Sequence, residues 1–259
     1  MQTIAFLTDF GERDWYVAAM KGVALTIAPQ AQLLDISHQV TAGNVSAAAF
    51  ILSQCWQDFP LGTVFVCVVD PGVGSTRAAV AVEAEGRYFV GPDNGLFGWL
   101  KRFRPQCRQI TNTRLFRDEV THTFHGRDIF APVGAQLAAD KARLDDVGPV
   151  LDELIATPWP KPEYDEKRAF GQIIYIDHYG NAITNLRLEY IEERFSLANA
   201  TVSLHPRRLP LLKTFSDAPP GGALAYFGSG GLLEIAVNGG HAAEQLDLRL
   251  DQHIELVLK

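Results

Sequence analysis

Cysteine and basic side chains are scarce in this sequence. Three cysteines among 259 residues, scattered and odd in number, argue against the disulfide framework of a small secreted protein and predict free thiols. The 23 lysines and arginines are outnumbered by 30 aspartates and glutamates, which leaves a net charge of −7. A chain with this excess of acidic groups is not expected to bind nucleic acid or an anionic membrane surface.

Long hydrophobic runs and a basic leader are also missing. No segment approaches the roughly 20 consecutive apolar residues of a membrane helix. The first residues reach an acidic side chain at Asp9 without a basic cluster before it, so the pattern does not predict a signal peptide. Hydrophobic residues make up 47% of the chain and charged residues 20%, a balance typical of a protein with a sizeable core. We therefore expect a soluble, cytoplasmic protein.

The first half of the chain alternates two hydrophobic periods, which predicts strands alternating with helices. A β-branched run at 62–69 lacks polar alternation, which is typical of a strand covered on both faces. Asn44 stands where it can cap a helix. The predicted strands are 3–7, 32–36, 62–69 and a hairpin of 78–82 with 88–90; the predicted helices are 14–28, 44–56, 95–103 and 128–139. This order indicates an α/β sandwich, a parallel sheet between layers of helices.

The second half has a different texture. Proline recurs every second residue from Pro158 to Pro162 and a charged run follows, so residues 157–168 are predicted to form a stiff, extended linker. Short strand-like segments separated by glycine-rich turns come next, at 172–176, 200–204, 223–226, 232–237 and 253–258. We predict an N-terminal α/β domain over 1–156 and a smaller C-terminal all-β domain over 169–259.

Two polar clusters follow predicted strands of the first half, at 8–14 and at 70–77. Ligands of an open parallel sheet bind beyond the carboxyl ends of its strands, so Asp9 and Asp70 are candidate site residues. Either aspartate alone would also be explained by turn or helix capping. The glycine run at 71–76 lacks the Gly-Lys-Ser/Thr ending of a phosphate-binding loop, and we interpret its glycines as turns around Asp70.

A histidine precedes the helix predicted at 128–139. The positive end of a helix dipole lowers the pKa of an imidazole placed there, so His125 is a candidate hydrogen-bonding group, although an exposed loop histidine is the alternative. His122 and His125 have a spacing that allows a shared metal ion, but no third ligand has a recognisable spacing. Asp128 is interpreted as an acid of the first helical turn rather than a ligand.

Polar turns also separate strands of the second half. Asp177 and Asn181 lie in one such turn and Ser229 in another, and each could satisfy its own turn backbone. Gly239 lies in an Asn-Gly-Gly turn with no chemistry visible in it.

Taken in order, these motifs resemble those of the S-adenosylmethionine (SAM) hydroxide adenosyltransferase family, the SAM hydrolases, which are related to fluorinase and chlorinase. The matching segments run through the chain and are 8–14, 69–77, 91–95, 124–128, 176–181 and 228–229. The resemblance implies an α/β domain followed by a barrel-like β domain. It also implies a homotrimer with active sites between the N-terminal domain of one subunit and the C-terminal domain of its neighbour.

The family's reaction is that of SAM with water to adenosine and L-methionine, with the (R)-sulfonium epimer as a possible preferred substrate. The resemblance implies a catalytic triad of Asp70, Arg77 and His125, with Asp9 on the ribose hydroxyls. The implied contacts to the rest of the substrate are Phe215, Asn181 and Gly239 for adenine and Asp177 and Ser229 for methionine. No metal and no cofactor are expected, because a neutral thioether leaving group needs no Lewis acid.

Three alternatives stay open at this point. The related halogenases have tyrosine at the positions of Asp70 and His125, and fluorinase has a long insertion where this chain has the tight Glu85-Gly86 turn, so hydrolysis is favoured over halogenation. A metal-dependent hydrolase would draw its ligands from the acidic and histidine side chains Asp9, Asp14, Asp70, His122 and His125. A nucleoside-binding protein without activity would keep the fold and release no methionine.

Overall fold

The chain divides into two compact units, Met1–Pro158 and Trp159–Lys259. The computed structural model describes residues 2–197 and 200–257. The first unit is a mixed α/β sandwich and the second is an antiparallel, nearly closed barrel-like sheet, so the predicted fold class is confirmed. No helix in the described residues has the length and apolar character needed to cross a membrane.

The first unit is built on a six-stranded sheet in the order β2-β1-β3-β5-β4-β6. Its strands are β1 (Thr3–Thr8), β2 (Gln32–Ser37), β3 (Val64–Val68), β4 (Ala79–Ala84), β5 (Arg87–Pro92) and β6 (Gln106–Gln109). The four strands from β2 to β5 in this order are parallel, whereas β4 and β6 run antiparallel to their neighbours. Every residue of β1 and β3 is buried, which explains why both segments are apolar without alternation.

Helices cover both faces of this sheet. The α-helices of the unit are α1 (Tyr16–Ile27), α2 (Val45–Cys55) and α3 (Ala131–Ala138). The first and third pack with Val64 and Val66 in one core, whereas Phe65, whose side chain alternates to the opposite face, stacks on Phe89 at 4.9 Å. Asn44 caps α2 as predicted, since its side chain accepts a hydrogen bond from Ala47 N at 2.9 Å.

The helix predicted at 95–103 is shorter than expected. Only Gly98–Phe103 is helical, and it is a 3₁₀-helix. Gly95 has a φ of +100°, outside the helical region. A Cβ at Gly98 would lie 2.3 Å from the backbone of Ile155, so this segment packs too tightly on the chain after residue 154 for any other residue type.

The helix predicted at 128–139 begins earlier and has two parts. A π-helical turn, Gly126–Phe130, precedes α3. Pro132 has no N–H to donate back to the carbonyl of Asp128, and that carbonyl instead accepts from Arg117 N at 3.0 Å. His125 therefore lies at the N-terminal end of this helix, and the hydrogen bond from Arg117 holds the first turn against the loop that contains Arg117.

The second unit is antiparallel, in the order β11-β10-β14-β8-β9-β13-β12 with β7 beside β8. Its strands are β7 (Glu163–Tyr164), β8 (Arg168–Ile176), β9 (Ala182–Arg187), β10 (Thr201–Leu204), β11 (Arg207–Pro210), β12 (Ala223–Phe227), β13 (Leu232–Val237) and β14 (His253–Val257). Short helices α4 (Leu188–Glu192) and α5 (Ala242–Gln245) fill two connections. A bridge between Leu211 and Ala225 joins the two edges, which explains the barrel-like form. The predicted end of the last strand, Leu258, lies outside the described residues.

Part of the predicted linker is ordered as a strand. Within 157–168, Glu163 and Tyr164 pair with Phe170 and Ala169 of β8, and β8 itself begins at Arg168. Burial explains this difference, because Tyr164 packs against the core of the second unit.

Candidate active site

Strand directions bring three polar segments to one edge of the first unit's sheet. Asp9 follows the carboxyl end of β1, and Asp70 follows that of β3. Strand β4 runs antiparallel to β5, so its amino end, which Arg77 precedes by two residues, lies at the same edge. Since β3 is parallel to β5, the chain reverses between β3 and β4, and this reversal keeps the guanidinium of Arg77 beside the carboxylate seven residues earlier.

Asp70 and Arg77 form a buried, multiply hydrogen-bonded ion pair. The Arg77 Nε atom donates to Oδ1 of Asp70 at 2.9 Å and to Oδ2 at 3.0 Å, and its Nη2 atom also donates to Oδ2. The Asp70 side chain is 4% exposed and that of Arg77 11%. The guanidinium also lies 5.3 Å from the ring centre of Phe130, a cation–π contact with the π-helical turn. These contacts leave the guanidinium little rotational freedom.

His125 completes the cluster through Arg77. The Nη2 atom of Arg77 lies 2.9 Å from Nδ1 of His125. A guanidinium N–H only donates, so Nδ1 accepts and the proton of the neutral ring is on Nε2. Burial and the positive charge of Arg77 lower the pKa of His125, against the opposing effects of Asp70 and Asp128. The imidazole is therefore held neutral, in one tautomer, at neutral pH.

A glycine allows the two loops of this cluster to touch. Gly74, in the loop between Asp70 and Arg77, has a φ of +79°. A Cβ on it would lie 2.7 Å from the carbonyl oxygen of His122. Both the backbone conformation and the close approach exclude other residue types, so Gly74 fixes the distance between the Asp70 loop and the segment leading into His125.

Asp128 organises the loop that carries His125. Its fully buried carboxylate accepts from Arg127 Nε at 2.6 Å, from Arg117 Nη1 at 3.2 Å and from the backbone and hydroxyl of Thr121 at 2.9 and 2.7 Å. Burial raises the pKa of Asp128, but the hydrogen bonds from Arg127 and Thr121 lower it to about 2. This role is structural, as the sequence predicted, but it reaches well beyond the first helical turn.

Asp9 is half-buried and held by the backbone beyond β2. Its Oδ2 atom accepts from Gly43 N at 2.7 Å. No donor among the described residues reaches its Oδ1 atom, which is left for a ligand. Of the other metal candidates, Asp14 and His122 are exposed, and residues 2–197 and 200–257 contain no group of three His, Cys, Asp or Glu side chains arranged to hold a metal ion.

In the second unit, Asp177 and Asn181 contact each other within the β8–β9 turn. The Oδ1 atom of Asp177 accepts from the backbone of Tyr179 at 2.9 Å and of Asn181 at 2.8 Å, and its Oδ2 accepts from Asn181 Nδ2 at 3.0 Å. Each side chain thus stabilises its own turn, the structural alternative that the sequence left open. A ligand could be contacted only through the lone pairs of the Asp177 carboxylate and the amide atoms of Asn181 that these hydrogen bonds do not use.

The turns that carry Gly239 and Phe215 lie at the same end of this sheet. Asn238, beside Gly239, donates through Nδ2 to the carbonyl of Ala218 at 2.7 Å, which ties this turn to the 3₁₀ turn Phe215–Asp217. Ala243 N donates to Gly180 O at 2.9 Å and links the Asp177–Asn181 turn to the same region. Phe215 is 40% exposed, so one face of a flat aromatic ring is open to a ligand.

Ser229 lies elsewhere in the second unit. It is exposed in the turn that begins β13, whereas Gly239 follows the end of that strand. The two turns therefore lie before and after the same strand. Gly228, the residue before Ser229, packs against the carboxylate of Glu234, since a Cβ there would lie 1.9 Å from Oε1 of that side chain.

Sequence analysis did not identify three polar residues that lie near these positions, namely His38, Tyr226 and Glu234. His38 is buried between Thr8 and Asp35. Tyr226 donates its hydroxyl to Glu234 on the neighbouring strand, and its ring lies 4.6 Å from that of Phe215. None of the three belongs to a sequence motif with a recognisable spacing. The only available signal was a polar residue within or beside an apolar strand, since burying such a group without a partner costs free energy.

The chain is similar in sequence to known proteins. Residues 4–148 match the SAM hydroxide adenosyltransferase N-terminal domain and residues 171–255 match its C-terminal domain. The chain is 40% identical over 253 residues to a protein of Salinispora arenicola named (R)-S-adenosyl-L-methionine hydrolase, covering 94% of this chain and 93% of that protein. A fluorinase of Actinoplanes sp. is 29% identical, with coverage of 95% and 94%.

A solved structure is similar over almost the full length. The crystal structure of an uncharacterized conserved protein from Thermotoga maritima superposes with a TM-score of 0.90 at 35% identity, covering 98% of this chain and 99% of that one. Both domain matches, the order of the motifs and the fold lead to one conclusion: this chain belongs to the SAM hydroxide adenosyltransferase family.

Proposed function

We propose that this protein hydrolyses S-adenosyl-L-methionine, with the (R)-sulfonium epimer as its substrate, to adenosine and L-methionine. The observation that carries the proposal is the buried cluster of Asp70, Arg77 and His125 in a chain of this family. The relatives that bear the (R)-S-adenosyl-L-methionine hydrolase name support the choice of epimer. An oxygen atom of water attacks the ribose C5′ atom, the C5′–S bond breaks, and the electron pair leaves with the neutral thioether of methionine.

The cluster holds the attacking water. Asp70 has only acceptor oxygens and receives a hydrogen bond from the water, which turns a lone pair of the oxygen toward C5′. The Nε2–H group of His125 donates to the same oxygen, and Arg77 keeps both partners in place. The second water proton is released to solvent after attack. Orientation of a reactant in this manner lowers a barrier by several kcal/mol, about 7 in well-aligned systems.

The substrate contacts follow from the family resemblance. Asp9 binds the ribose hydroxyls through its open Oδ1 atom. Phe215 stacks on adenine, while Asn181 and the backbone of Gly239 bind the edge of the base. Asp177 and Ser229 bind the methionine amino and carboxylate groups. The active sites lie at subunit interfaces of a homotrimer, and no cofactor, nucleic acid or membrane takes part.

One experiment tests this function directly. The purified protein is incubated with (R)-SAM or (S)-SAM in water enriched in ¹⁸O, and products are separated by chromatography and mass spectrometry. We expect equal amounts of adenosine and methionine from the (R) epimer, with ¹⁸O in the adenosine 5′-hydroxyl. Release of methionine without ¹⁸O in adenosine would contradict attack by water at C5′.

The same experiment separates the alternatives. A chloride- or fluoride-dependent 5′-halogenated nucleoside would identify a halogenase. Bound SAM or adenosine with no methionine released would identify a binding protein. Gel filtration with light scattering measures the oligomeric state independently, and a monomer with full activity would contradict the proposed interface site.

A further inference from the structure

We propose that His38 is a positioning residue of this enzyme, holding the backbone around Asp9 so that the Asp9 carboxylate faces the ribose. This inference rests on the proposed function, because it assigns a supporting group to the residue that binds the ribose hydroxyls. His38 follows β2 directly and is only 3% exposed. A buried imidazole needs hydrogen-bond partners for both of its ring nitrogens.

Both partners are present, and they define one direction of hydrogen bonding. Nε2 of His38 lies 2.9 Å from Oδ1 of Asp35, and a carboxylate only accepts, so Nε2 donates. Burial raises the pKa of Asp35, but the hydrogen bonds from Lys21 and His38 lower it overall, so Asp35 remains an acceptor. Nδ1 of His38 lies 2.8 Å from the buried hydroxyl of Thr8.

The hydroxyl of Thr8 connects His38 to the backbone of the residues after β1. Its oxygen accepts from Phe10 N at 3.3 Å, and its proton points to Nδ1 of His38. The carbonyl of His38 accepts from Gly11 N at 2.8 Å. One residue thus holds the loop on both sides of Asp9, through its side chain at Thr8 and through its backbone at Gly11.

The segment after His38 provides the third contact. Gly43 N donates to Oδ2 of Asp9 at 2.7 Å. Loop 8–11 and segment 38–43 are therefore one hydrogen-bonded unit, in which the Oδ1 atom of Asp9 has no partner among the described residues.

The test uses adenosine and 2′-deoxyadenosine as probes, with affinities measured by calorimetry. His38→Gln can reach Asp35 with its amide but not Thr8, whereas His38→Asn can reach Thr8 but not Asp35. We expect the wild type to bind adenosine more tightly, and we expect His38→Gln to reduce this preference about tenfold, the size expected for loss of one hydrogen bond to a charged group. His38→Asn should keep most of the wild-type preference for adenosine over 2′-deoxyadenosine. Thr8→Val should reproduce His38→Gln, and the double variant should be no worse than either.

Steady-state kinetics and thermal unfolding complete the test. In His38→Gln we expect KM for SAM to rise about tenfold while kcat stays within about threefold, because uniform binding rather than the chemical step is affected. A His38→Gln protein that unfolds at a lower temperature but keeps the wild-type nucleoside preference has a merely structural histidine, and this result would overturn the proposal. A wild type that hydrolyses SAM without preferring adenosine would overturn it too. A wild type that prefers adenosine, loses the preference in His38→Gln and hydrolyses nothing would support His38 and contradict the proposed function alone.

Discussion

The Nη2 group of Arg77 donates to Nδ1 of His125 at 2.9 Å, and the same group also donates to Asp70. One guanidinium therefore orients the carboxylate and selects the imidazole tautomer. In this arrangement the free polar atom of His125 is a donor, which favours our proposal that the ring orients an oxygen nucleophile rather than removing its proton. A role as a base through Nδ1 would require the bond to Arg77 to break first.

Replacement of Asp70 by asparagine tests the position of the nucleophilic water. Asp70→Asn keeps the size of the side chain but weakens the ion pair with Arg77 and replaces one acceptor by a donor. We expect kcat for SAM hydrolysis to fall about 100-fold to 10,000-fold, the range of a lost catalytic hydrogen-bonding group, with adenosine affinity retained. Asp145→Asn is the matched control, since Asp145 forms an ion pair with Arg108 in the same unit and is 63% exposed. Full turnover in Asp70→Asn would remove the cluster from the mechanism.

The lowered pKa of His125 predicts the acid side of the pH profile. Because burial and Arg77 lower the pKa below 6.5, the neutral ring predominates at neutral pH, and protonation as the pH falls places a second cation against Arg77. We expect kcat/KM to be level above pH 6.5 and to decrease below it. His125→Gln should lose this decrease, whereas His122→Gln, altered at an exposed residue three positions earlier, should keep it. An unchanged acid limb in His125→Gln would assign the titration to another group.

Asp128 predicts a stability effect that is separate from the chemistry. Its folded pKa of about 2 lies below the ordinary 3.8, so its contribution to stability is present above pH 3.8 and is lost as the pH falls through about 2. We expect Asp128→Asn to lower the free energy of unfolding by about 2 kcal/mol at pH 7, the value of a hydrogen bond to a charged group. Urea unfolding at pH 7 and at pH 3 measures both effects. Asp118→Asn, on an exposed side chain of the same loop, should change neither; equal stability of the two variants would contradict the role assigned to Asp128.

Chelation tests the metal-dependent alternative. Expulsion of a neutral thioether from a sulfonium develops no negative charge that a Lewis acid must stabilise, so dialysis against EDTA should leave the hydrolysis rate unchanged. A zinc hydrolase dialysed in parallel shows that chelation was complete. A large loss of activity, restored by zinc or magnesium, would instead support a metal-dependent hydrolase.

The elements that the sequence predicted best are those with a local cause. The apolar run before Asp70 has no alternation because both faces of β3 are buried, and this property is visible without the fold. The Asn44 cap and the hairpin of β4 and β5 depend on residues close together in the chain. The helix predicted at 128–139 is present, but its earlier start and its π-helical first turn were not predicted, because that turn depends on Arg117, eleven residues before Asp128.

Some residues of the candidate site could likewise be identified from the sequence, whereas others could not. Motif order and family resemblance were sufficient to select Asp70, Arg77 and His125, but their roles in substrate binding and chemistry stay predictions. No pattern marked His38, since its partners Thr8 and Asp35 lie on two different strands. For Asp177 the residues already offered turn capping as one interpretation, and the structure shows its carboxylate engaged by its own turn.

Residue order alone was thus enough for the class of fold, the family and the candidate residues, because burial periodicity and short motifs are local properties of the chain. Three-dimensional packing decided the rest: the antiparallel return of β4 that sets Arg77 beside Asp70, the tautomer of His125, and the partners of His38. These three features depend on which strands lie side by side in the sheet and on which hydrogen-bond donor lies close to which acceptor. Such pairings join residues up to 48 positions apart in the sequence, as with Arg77 and His125, and only the folded chain specifies them.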